Sequence, residues 1–191
     1  MDNTRTDISA YHMAVNPDAF QPQTSNAFKF IVTDLDPLTD PITGNIIPNA
    51  SDVLKQSVFS MEEPSFSQDT IGVRYGNTMV KTAGTPTFAD TTINLHDYVG
   101  IETYNVLYAW QARSFNIKTQ RVGLASEYKK TAYMLEYSVD FSRVLKVWKL
   151  YGVWITGLKK DGFDNSANAQ EIKIQCSISY DWAEPQDPNQ I

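Results

Sequence analysis

The chain of 191 residues carries a formal net charge of −6, with 20% charged and 12% aromatic residues. This length suits one domain with a sizeable core, and the aromatic content indicates a folded chain of β character. Residues 1–70 hold ten acids and three bases, and no basic block is present that could grip nucleic acid through its phosphates. A protein surface with this negative charge would repel nucleic acid rather than bind it.

Signals for catalysis, export and membrane insertion are missing from the sequence. The single cysteine, Cys176, excludes an internal disulfide and a multi-cysteine zinc site. His12 and His96 stand outside any metal-binding spacing, and the sequence has no nucleophile elbow, P-loop or dinucleotide-binding motif. No apolar run reaches the ~20 residues of a membrane span, and the first residues do not resemble a signal peptide. We therefore expect a soluble protein that is not an enzyme and that needs no metal or cofactor.

The first 57 residues divide into an arm, a strand and a long loop. Residues 1–27 contain scattered Pro and Asn, which predicts an arm without regular structure. Residues 28–33 alternate between apolar and polar side chains and predict a strand. Residues 34–57 hold three prolines and one glycine and are interpreted as a loop, with a hairpin turn at Thr43-Gly44-Asn45. A loop of this length in a compact domain is more often functional than idle.

An ordered series of elements occupies the middle of the chain. After a strand bent at Pro64, the sequence predicts a strand over residues 77–83, a turn over residues 84–90 and a strand over residues 91–95. A helix is predicted next, over residues 97–111, with Asp97 as its N-cap. Its apolar residues lie on two flanks, which indicates either a contact with another subunit or a helix sunk in a groove of its own domain.

Three further strands are predicted after a polar loop at residues 113–127. Residues 131–139 and 144–151 both alternate, and the second of these has apolar side chains on both faces. Residues 172–182 alternate without exception, which places Cys176 on the apolar face as a core residue. The basic residues between Arg113 and Lys130 form either a solvated loop or a docking patch for acidic residues of a neighbour.

Several of these segments together resemble the tail tube proteins of contractile-tailed bacteriophages. The most specific match is Glu127-Tyr128-Lys129-Lys130-Thr131-Ala132, which follows Trp110 in the same order as in that family. Residues 26–30, 80–90, 150–154 and 179–182 match as well. The resemblance covers about residues 26–184 and implies an N-terminal arm at 1–27, a tube domain at 28–184 with an extended loop at 34–57, and a C-terminal tail at 185–191.

The resemblance implies a mainly β fold: an antiparallel β-sandwich or barrel-like subunit with one α-helix, which contributes strands to an inner β-barrel shared by the oligomer. It implies hexameric rings that stack into a tube, through which the genome passes into the host without specific DNA binding. The implied partners are further copies of the chain, the tail sheath, the baseplate or tube initiator and the tail terminator. The implied location is the virion, after synthesis in the host cytoplasm. Type VI secretion tubes are similar in design.

The arm and the 34–57 loop, both longer than the family pattern, are expected to contact neighbouring subunits. Two other interpretations stay open: a monomeric β-sandwich module that binds carbohydrate or protein through Tyr and Trp side chains, and a terminator or sheath-associated protein whose rings do not stack. Candidates for a negative inner wall are Glu136 and Asp140, on or beside a predicted strand. The candidate contact residues are Asp34, Asp36, Asp40, Pro41, Gly44, Asn45, Lys129 and Lys130.

Overall fold

The computed structural model describes residues 22–100, 102–163 and 171–188, so most of the predicted arm lies outside the described residues. The prediction of a mainly antiparallel β fold is confirmed. The sequence predicts one helix, whereas the described chain contains α1 (Ala50–Ser57), α2 (Thr103–Ser114) and α3 (Ala125–Tyr128). No helix within the described ranges has the length and apolarity to cross a membrane. The strands are β1 (Phe28–Thr33), β2 (Leu38–Thr39), β3 (Ile46–Ile47), β4 (Val58–Met61), β5 (Phe66–Tyr75), β6 (Thr78–Phe88), β7 (Thr91–His96), β8 (Phe115–Asn116), β9 (Arg121–Val122), β10 (Lys130–Tyr137), β11 (Val144–Lys160), β12 (Lys173–Ser179) and β13 (Trp182–Gln186).

One curled sheet organises the domain. Its strand order is β1-β10-β11-β12-β7-β4, with β13 paired to β11, and every pair is antiparallel. The 17-residue strand β11 joins the two halves, because its first part pairs with β10 and β13 and its second part pairs with β12. Gly152 has a φ of 68°, and a Cβ there would lie 2.1 Å from a carboxylate oxygen of Asp181. Glycine therefore permits the left-handed backbone at which the two parts of β11 meet. The sheet does not close into a barrel.

The core lies inside the curl of the sheet and is covered by α1 and α2. Trp110 of α2 is its largest fully buried side chain, and the Trp110 indole N–H donates to the Tyr128 carbonyl oxygen at 2.8 Å. Burial raises the pKa of the Cys176 thiol to about 12, in line with the core position predicted for it. Both halves of the sheet contribute buried aliphatic side chains, including Val32, Leu95, Leu150 and Ile174.

The 34–57 segment is only partly the loop that the sequence predicts. Strands β2 and β3 form a short hairpin that turns near Gly44, whose φ is 75°, so the hairpin prediction is confirmed. The last eight residues form α1, and Leu35, Leu38 and Leu54 are buried in the core. The three prolines of the segment all precede this helix. The pattern of the whole segment therefore predicts a loop, although its last eight residues form a short amphipathic helix.

A long β-hairpin, here called the ribbon (β5 and β6), replaces the turn predicted over residues 84–90, and that prediction is wrong. β6 continues through Gly84 and Pro86 to Phe88, with an irregularity in register between Gln68 and Thr70 of β5. A Cβ on Gly84 would lie 2.7 Å from the Asp69 carbonyl oxygen, so glycine allows the two backbones to approach closely. Pro86 is tolerated because each strand of an isolated ribbon has one unpaired edge.

The helix start predicted at Asp97 is also wrong. α2 begins at Thr103, directly after Glu102, which has a left-handed φ of 49°. Asp97 still assists the helix from outside it, because an Asp97 carboxylate oxygen accepts a hydrogen bond from the Tyr104 backbone N–H at 3.4 Å. Asp97 thus satisfies one N–H group in the first turn of α2, although it lies in the loop that precedes the helix.

The single strand predicted over residues 172–182 is divided into β12 and β13. β12 ends at Ser179, and in the break before β13 the Asp181 backbone N–H donates to the Tyr151 carbonyl oxygen at 2.9 Å. The Asp181 carboxylate pairs with the Lys129 ammonium at 2.6 Å. Trp182 consequently lies half exposed and not in the core. The apolar and polar residues alternate throughout residues 172–182, so this pattern does not show that the strand ends at Ser179.

Replacing Leu54 tests whether α1 belongs to the core. We expect Leu54→Ala to lower the free energy of unfolding by about 2–5 kcal/mol, since it would leave a cavity where α1 packs on β1. Urea unfolding followed by circular dichroism measures this loss. The matched control is Lys55→Ala at the next, exposed position, with an expected change within ~0.5 kcal/mol. Equal, small effects of both substitutions would contradict the assignment.

Candidate functional site: assembly surfaces

The ribbon is the most unusual surface of the domain. Every residue of β5 is exposed, and in β6 only Gly84 and Phe88 are partly buried. An isolated two-stranded hairpin is marginally stable in water and gains stability by packing against something else. Five large apolar side chains of the ribbon beyond its root are more than half exposed: Ile71, Val73, Tyr75, Met79 and Val80.

The pairing register divides the outer part of the ribbon into an apolar face and a basic face. Val73 and Val80 lie directly opposite each other, and so do Ile71 and Thr82, and Tyr75 and Thr78. These pairs share one side of the ribbon, because alternate residues of a strand point the same way. The opposite side carries Met79 and the basic residues Arg74 and Lys81, and neither basic residue forms an ion pair with a described residue. The apolar face therefore lacks a partner within the described chain.

The root of the ribbon is held firmly to the body. The Phe88 ring lies 6.0 Å from the Tyr180 ring and 5.7 Å from the Phe66 ring. Just before β5, the Glu63 carboxylate pairs with the Lys146 ammonium and accepts a hydrogen bond from the Trp148 indole N–H at 2.9 Å.

The hydrogen bond from Lys146, and to a smaller extent the one from Trp148, holds the pKa of the Glu63 carboxyl below its usual range. Sequence analysis missed this anchor, because no local spacing signals a partner 83 residues away. The exposed ribbon thus extends from a fixed root.

A second surface, here called the polar sheet face, is the outer side of β7, β12 and the second part of β11. The cross-strand pairs Asn94 with Gln175 and Thr92 with Ser177 occupy this side, while their neighbours in sequence point into the core. Lys159 lies opposite Gln175 at its margin. These two rows hold small or polar residues and the charged Lys159, and the adjoining row adds Lys173 opposite His96.

The acidic residues predicted as contacts in the 34–57 segment serve local structure. Asp36 accepts hydrogen bonds from the first backbone N–H groups of α1, at 2.6 Å from Ala50. Asp40 accepts from the Ile42 backbone N–H at 2.8 Å and from the Thr43 hydroxyl at 2.6 Å, and these bonds lower the pKa of its carboxyl. Asp34, Gly44 and Asn45 are exposed on the outer side of the same segment, and Asp40 and Pro41 are partly buried there.

The basic residues of the most specific sequence match also act within the chain. Lys129 is paired with Asp181, as described above, and the Tyr128 ring packs edge-on against the Trp154 ring at 5.7 Å. Lys130 is half-buried, and burial followed by the nearby Arg113 lowers the pKa of its ammonium, with Asp34 acting in the opposite direction. The motif thus ties α2, β11 and the β12–β13 break together. A contact role for Lys129 and Lys130 between subunits stays a prediction.

The two candidates for a negative inner wall lie at one end of β10. Glu136 shares a side of that strand with the buried Met134, and its carboxylate accepts a hydrogen bond from the Gln23 amide at 3.3 Å. Asp140 lies in the exposed turn after β10, where hydrogen bonds from Ser138 and Ser142 lower the pKa of its carboxyl to about 2. The structure does not bring these two acids onto the polar sheet face.

No group of three or more His, Cys, Asp or Glu suited to a metal ion occurs among the described residues. One contact between two potential metal ligands is that of the His96 Nδ1, which lies 2.9 Å from a Glu171 carboxylate oxygen. That contact lacks hydrogen-bond geometry and counts as an ion pair only when the imidazole is protonated. The His96 ring instead packs against Phe59 at 4.2 Å.

Comparison with known proteins identifies the fold. No protein-family model and no curated protein matches the sequence. A chain of an extracellular contractile injection system, from the PVC sheath–tube complex in the extended state, matches with a TM-score of 0.61 at 20% identity, over 93% of this chain and 97% of that one. The chain has the fold of contractile injection system proteins.

Two further solved structures share this fold. A chain from the tube-terminating cap of the anti-feeding prophage has a TM-score of 0.61 at 20% identity, over 97% of this chain and 99% of that one. A chain from the PVC sheath/tube terminator has the same TM-score at 19% identity, over 87% and 97%. The resemblance drawn from the sequence is thus confirmed at the level of the fold.

The anchor at Glu63 gives a pH-dependent prediction. The carboxylate is stabilised when charged, so its contribution is full above its unfolded pKa and is lost as the pH falls through the lower folded pKa. We expect Glu63→Gln to lower the free energy of unfolding by about 0.5–1 kcal/mol at pH 7, a small value because the pair is half exposed. In acid below that folded pKa, the difference between wild type and variant should vanish.

Urea unfolding at the two pH values measures this difference. The matched control is Glu62→Gln, since the Glu62 side chain forms no ion pair with a described residue. A Glu63→Gln deficit that persists unchanged in acid would rule out the ionic anchor.

Proposed function

We propose that the chain is a structural subunit of the tube of a contractile tail, in which six copies form a ring and the rings stack around a continuous lumen. The observation that carries this proposal is the ribbon, whose apolar face has no cover within the described chain. Exposed apolar strands of this kind promote association, and in a ring of identical copies they would be buried in the interface between subunits. The fold shared with chains of a sheath–tube complex supports the same role.

The polar sheet face is our candidate for the lumen wall. Small uncharged side chains such as Asn94, Gln175 and Ser177 offer a passing polymer few contacts that could hold it. We propose that the genome passes through this lumen into the host and that the assembled tube is part of a virion. Glu136 and Asp140 are proposed to add negative charge at the end of β10, near the mouth of each ring.

The outer side of the 34–57 segment is proposed as the contact between successive rings. Pro41, Gly44 and Asn45 lie at the exposed turn of the β2–β3 hairpin, and Ile42 between them is largely exposed. The tail sheath, a baseplate or tube initiator and a terminator are the proposed further partners. Chains from a sheath–tube complex and from a tube terminator share the fold.

A second candidate is the tube of an injection device that works outside a virion. The solved structures described above favour it, because they come from an extracellular contractile injection system and from the anti-feeding prophage. The subunit would be built in the same way for either role. Nucleic-acid content of particles isolated from the native source distinguishes the two, since packaged DNA is expected only for a virion.

Assembly of the purified full-length chain tests the structural role. Negative-stain microscopy and light scattering should show rings or tubes, with a ring mass six times the 21.5 kDa of one chain. Val73→Ser with Val80→Ser should abolish them, because these substitutions remove the apolar face of the ribbon. Val122→Ser, an exposed valine of the β8–β9 hairpin, is the control and should assemble normally. A stable monomer at high concentration would refute the proposal and favour a binding module.

A further inference from the structure

A cavity of about 390 Å³ opens between the two edge strands of the curled sheet. These strands, β1 and β4, pair with β10 and β7 and not with each other. Phe28 of β1, Met61 of β4 and Met134 of β10 contribute the large apolar side chains of its lining. Because Met134 is buried and Met61 packs on the core, the cavity lies directly beside the core. We call this space the edge cavity.

The two carboxylates that line the edge cavity already have partners. Glu63 pairs with the Lys146 ammonium and accepts a hydrogen bond from the Trp148 indole, and Glu136 accepts one from the Gln23 amide at 3.3 Å. An occupant therefore does not have to supply a counter-charge or a hydrogen bond to either acid. The cavity is suited to an apolar side chain that packs between the two methionines.

The N-terminal arm meets the domain beside the edge cavity. Gln23, Thr24 and Ser25 all line it. The Ala27 backbone N–H donates to the Thr24 carbonyl oxygen at 3.3 Å, and the Ala27 carbonyl oxygen accepts a hydrogen bond from the Tyr137 backbone N–H at 2.8 Å. These bonds fix the end of the arm on the domain, so the arm is attached at a defined point next to the cavity.

Phe20 precedes Gln23 by three positions in the sequence and lies outside the described residues. Three residues span at most about 10 Å, which places the Phe20 side chain within reach of the edge cavity. Methionine side chains adapt to the shape of a neighbour, and their sulfur atoms make favourable contacts with aromatic rings. A ring tethered this closely also has a high effective concentration at the cavity, which favours it over the same residue of another copy.

We propose that Phe20 packs into the edge cavity of its own domain, between Met61 and Met134. The ring fills the opening between β1 and β4 and contacts the end of β4, two residues before Glu63. Since Glu63 anchors the root of the ribbon, the arm becomes part of the support that holds the ribbon in place. Residues 1–19 are left for the contacts with neighbouring subunits that the sequence predicts.

Methyl NMR of the methionines tests the contact directly. The chain has five methionines, so selective ¹³C-methyl labelling gives a small number of signals. Phe20→Leu should move the Met61 and Met134 methyl signals by more than a line width, because the ring current of the phenylalanine is lost. The signal of Met79, on the ribbon, should not move. The matched control is Tyr11→Leu, which removes an aromatic ring from a more distant part of the arm and should move none of these signals.

A mixing experiment shows whose Phe20 fills the edge cavity. Labelled Phe20→Leu chains are mixed with an excess of unlabelled wild type under conditions that permit subunit exchange. The Met61 and Met134 signals should keep the positions of the variant, because residue 20 of each chain occupies the cavity of that chain. Return of these signals to their wild-type positions would assign the contact to a neighbouring copy and overturn the proposal.

Thermal unfolding of the dilute chain supplies an independent test. Phe20→Ala should lower the melting temperature by about 3–8 °C, since a packed ring is replaced by empty space. In the Met61→Ala background the same substitution should have a much smaller effect, because its partner is gone. Tyr11→Ala is the matched control and should change the melting temperature by less than about 2 °C. Additive effects of the Phe20 and Met61 substitutions would contradict the contact.

The outcomes are independent of the proposed tube function, because the methyl and thermal measurements need only the folded chain. If wild-type chains form rings but Phe20→Leu moves neither the Met61 nor the Met134 signal, the arm contact is overturned and the tube function still stands. If both signals move while the wild type stays monomeric, the arm contact stands and the tube function is overturned.

Discussion

The structure depends on one constraint: the ribbon exposes an apolar face that its own domain does not bury. Val73 and Val80 form the centre of that face, more than half exposed on a hairpin with two unpaired edges. Burial of apolar area is the main favourable contribution in folding and association, so a surface of this kind is stable only when something covers it. In the proposed tube, another copy of the chain supplies that cover.

The body of the domain holds the ribbon in a fixed place. Phe88 stacks near Tyr180 at the edge of the core, and the Glu63 carboxylate fixes the preceding segment to Lys146 and Trp148. A rigid root lowers the entropy lost when the ribbon binds, because less of its motion has to be frozen. The same body leaves one edge of β11, from Trp154 to Lys160, without a strand partner among the described residues.

Sequence analysis succeeded where a segment is stabilised by its own alternation. Strands β1 and β7 and the greater part of β10 match their predicted ranges, because one side of each packs on the core. It failed where a distant partner decides the conformation. Gly84 and Pro86 read locally as a turn, yet their pairing with β5 keeps them in a strand, and α1 is a helix because Leu54 reaches the core.

The candidate site was harder to predict than the fold for the same reason. Acids such as Asp36 and Asp40 suggested contacts with a neighbour, and their hydrogen-bond partners lie in the same segment. The ribbon carries no sequence motif. The exposure of Val73 and Val80 marks it as a candidate contact surface, and that exposure can be seen only in the three-dimensional structure. Residues chosen by charge pattern alone therefore emphasised the 34–57 segment and passed over the surface that most needs a partner.

Hydrogen–deuterium exchange of the ribbon amides, measured on the monomer and on the assembled protein, tests the central claim most directly. The account predicts fast exchange throughout the outer ribbon, residues 70–83, in dilute monomer, apart from residual protection by its own cross-strand bonds. Strong additional protection of these residues is predicted on assembly, because another copy then covers the ribbon. Assemblies in which the outer ribbon exchanges as fast as in the monomer would contradict it.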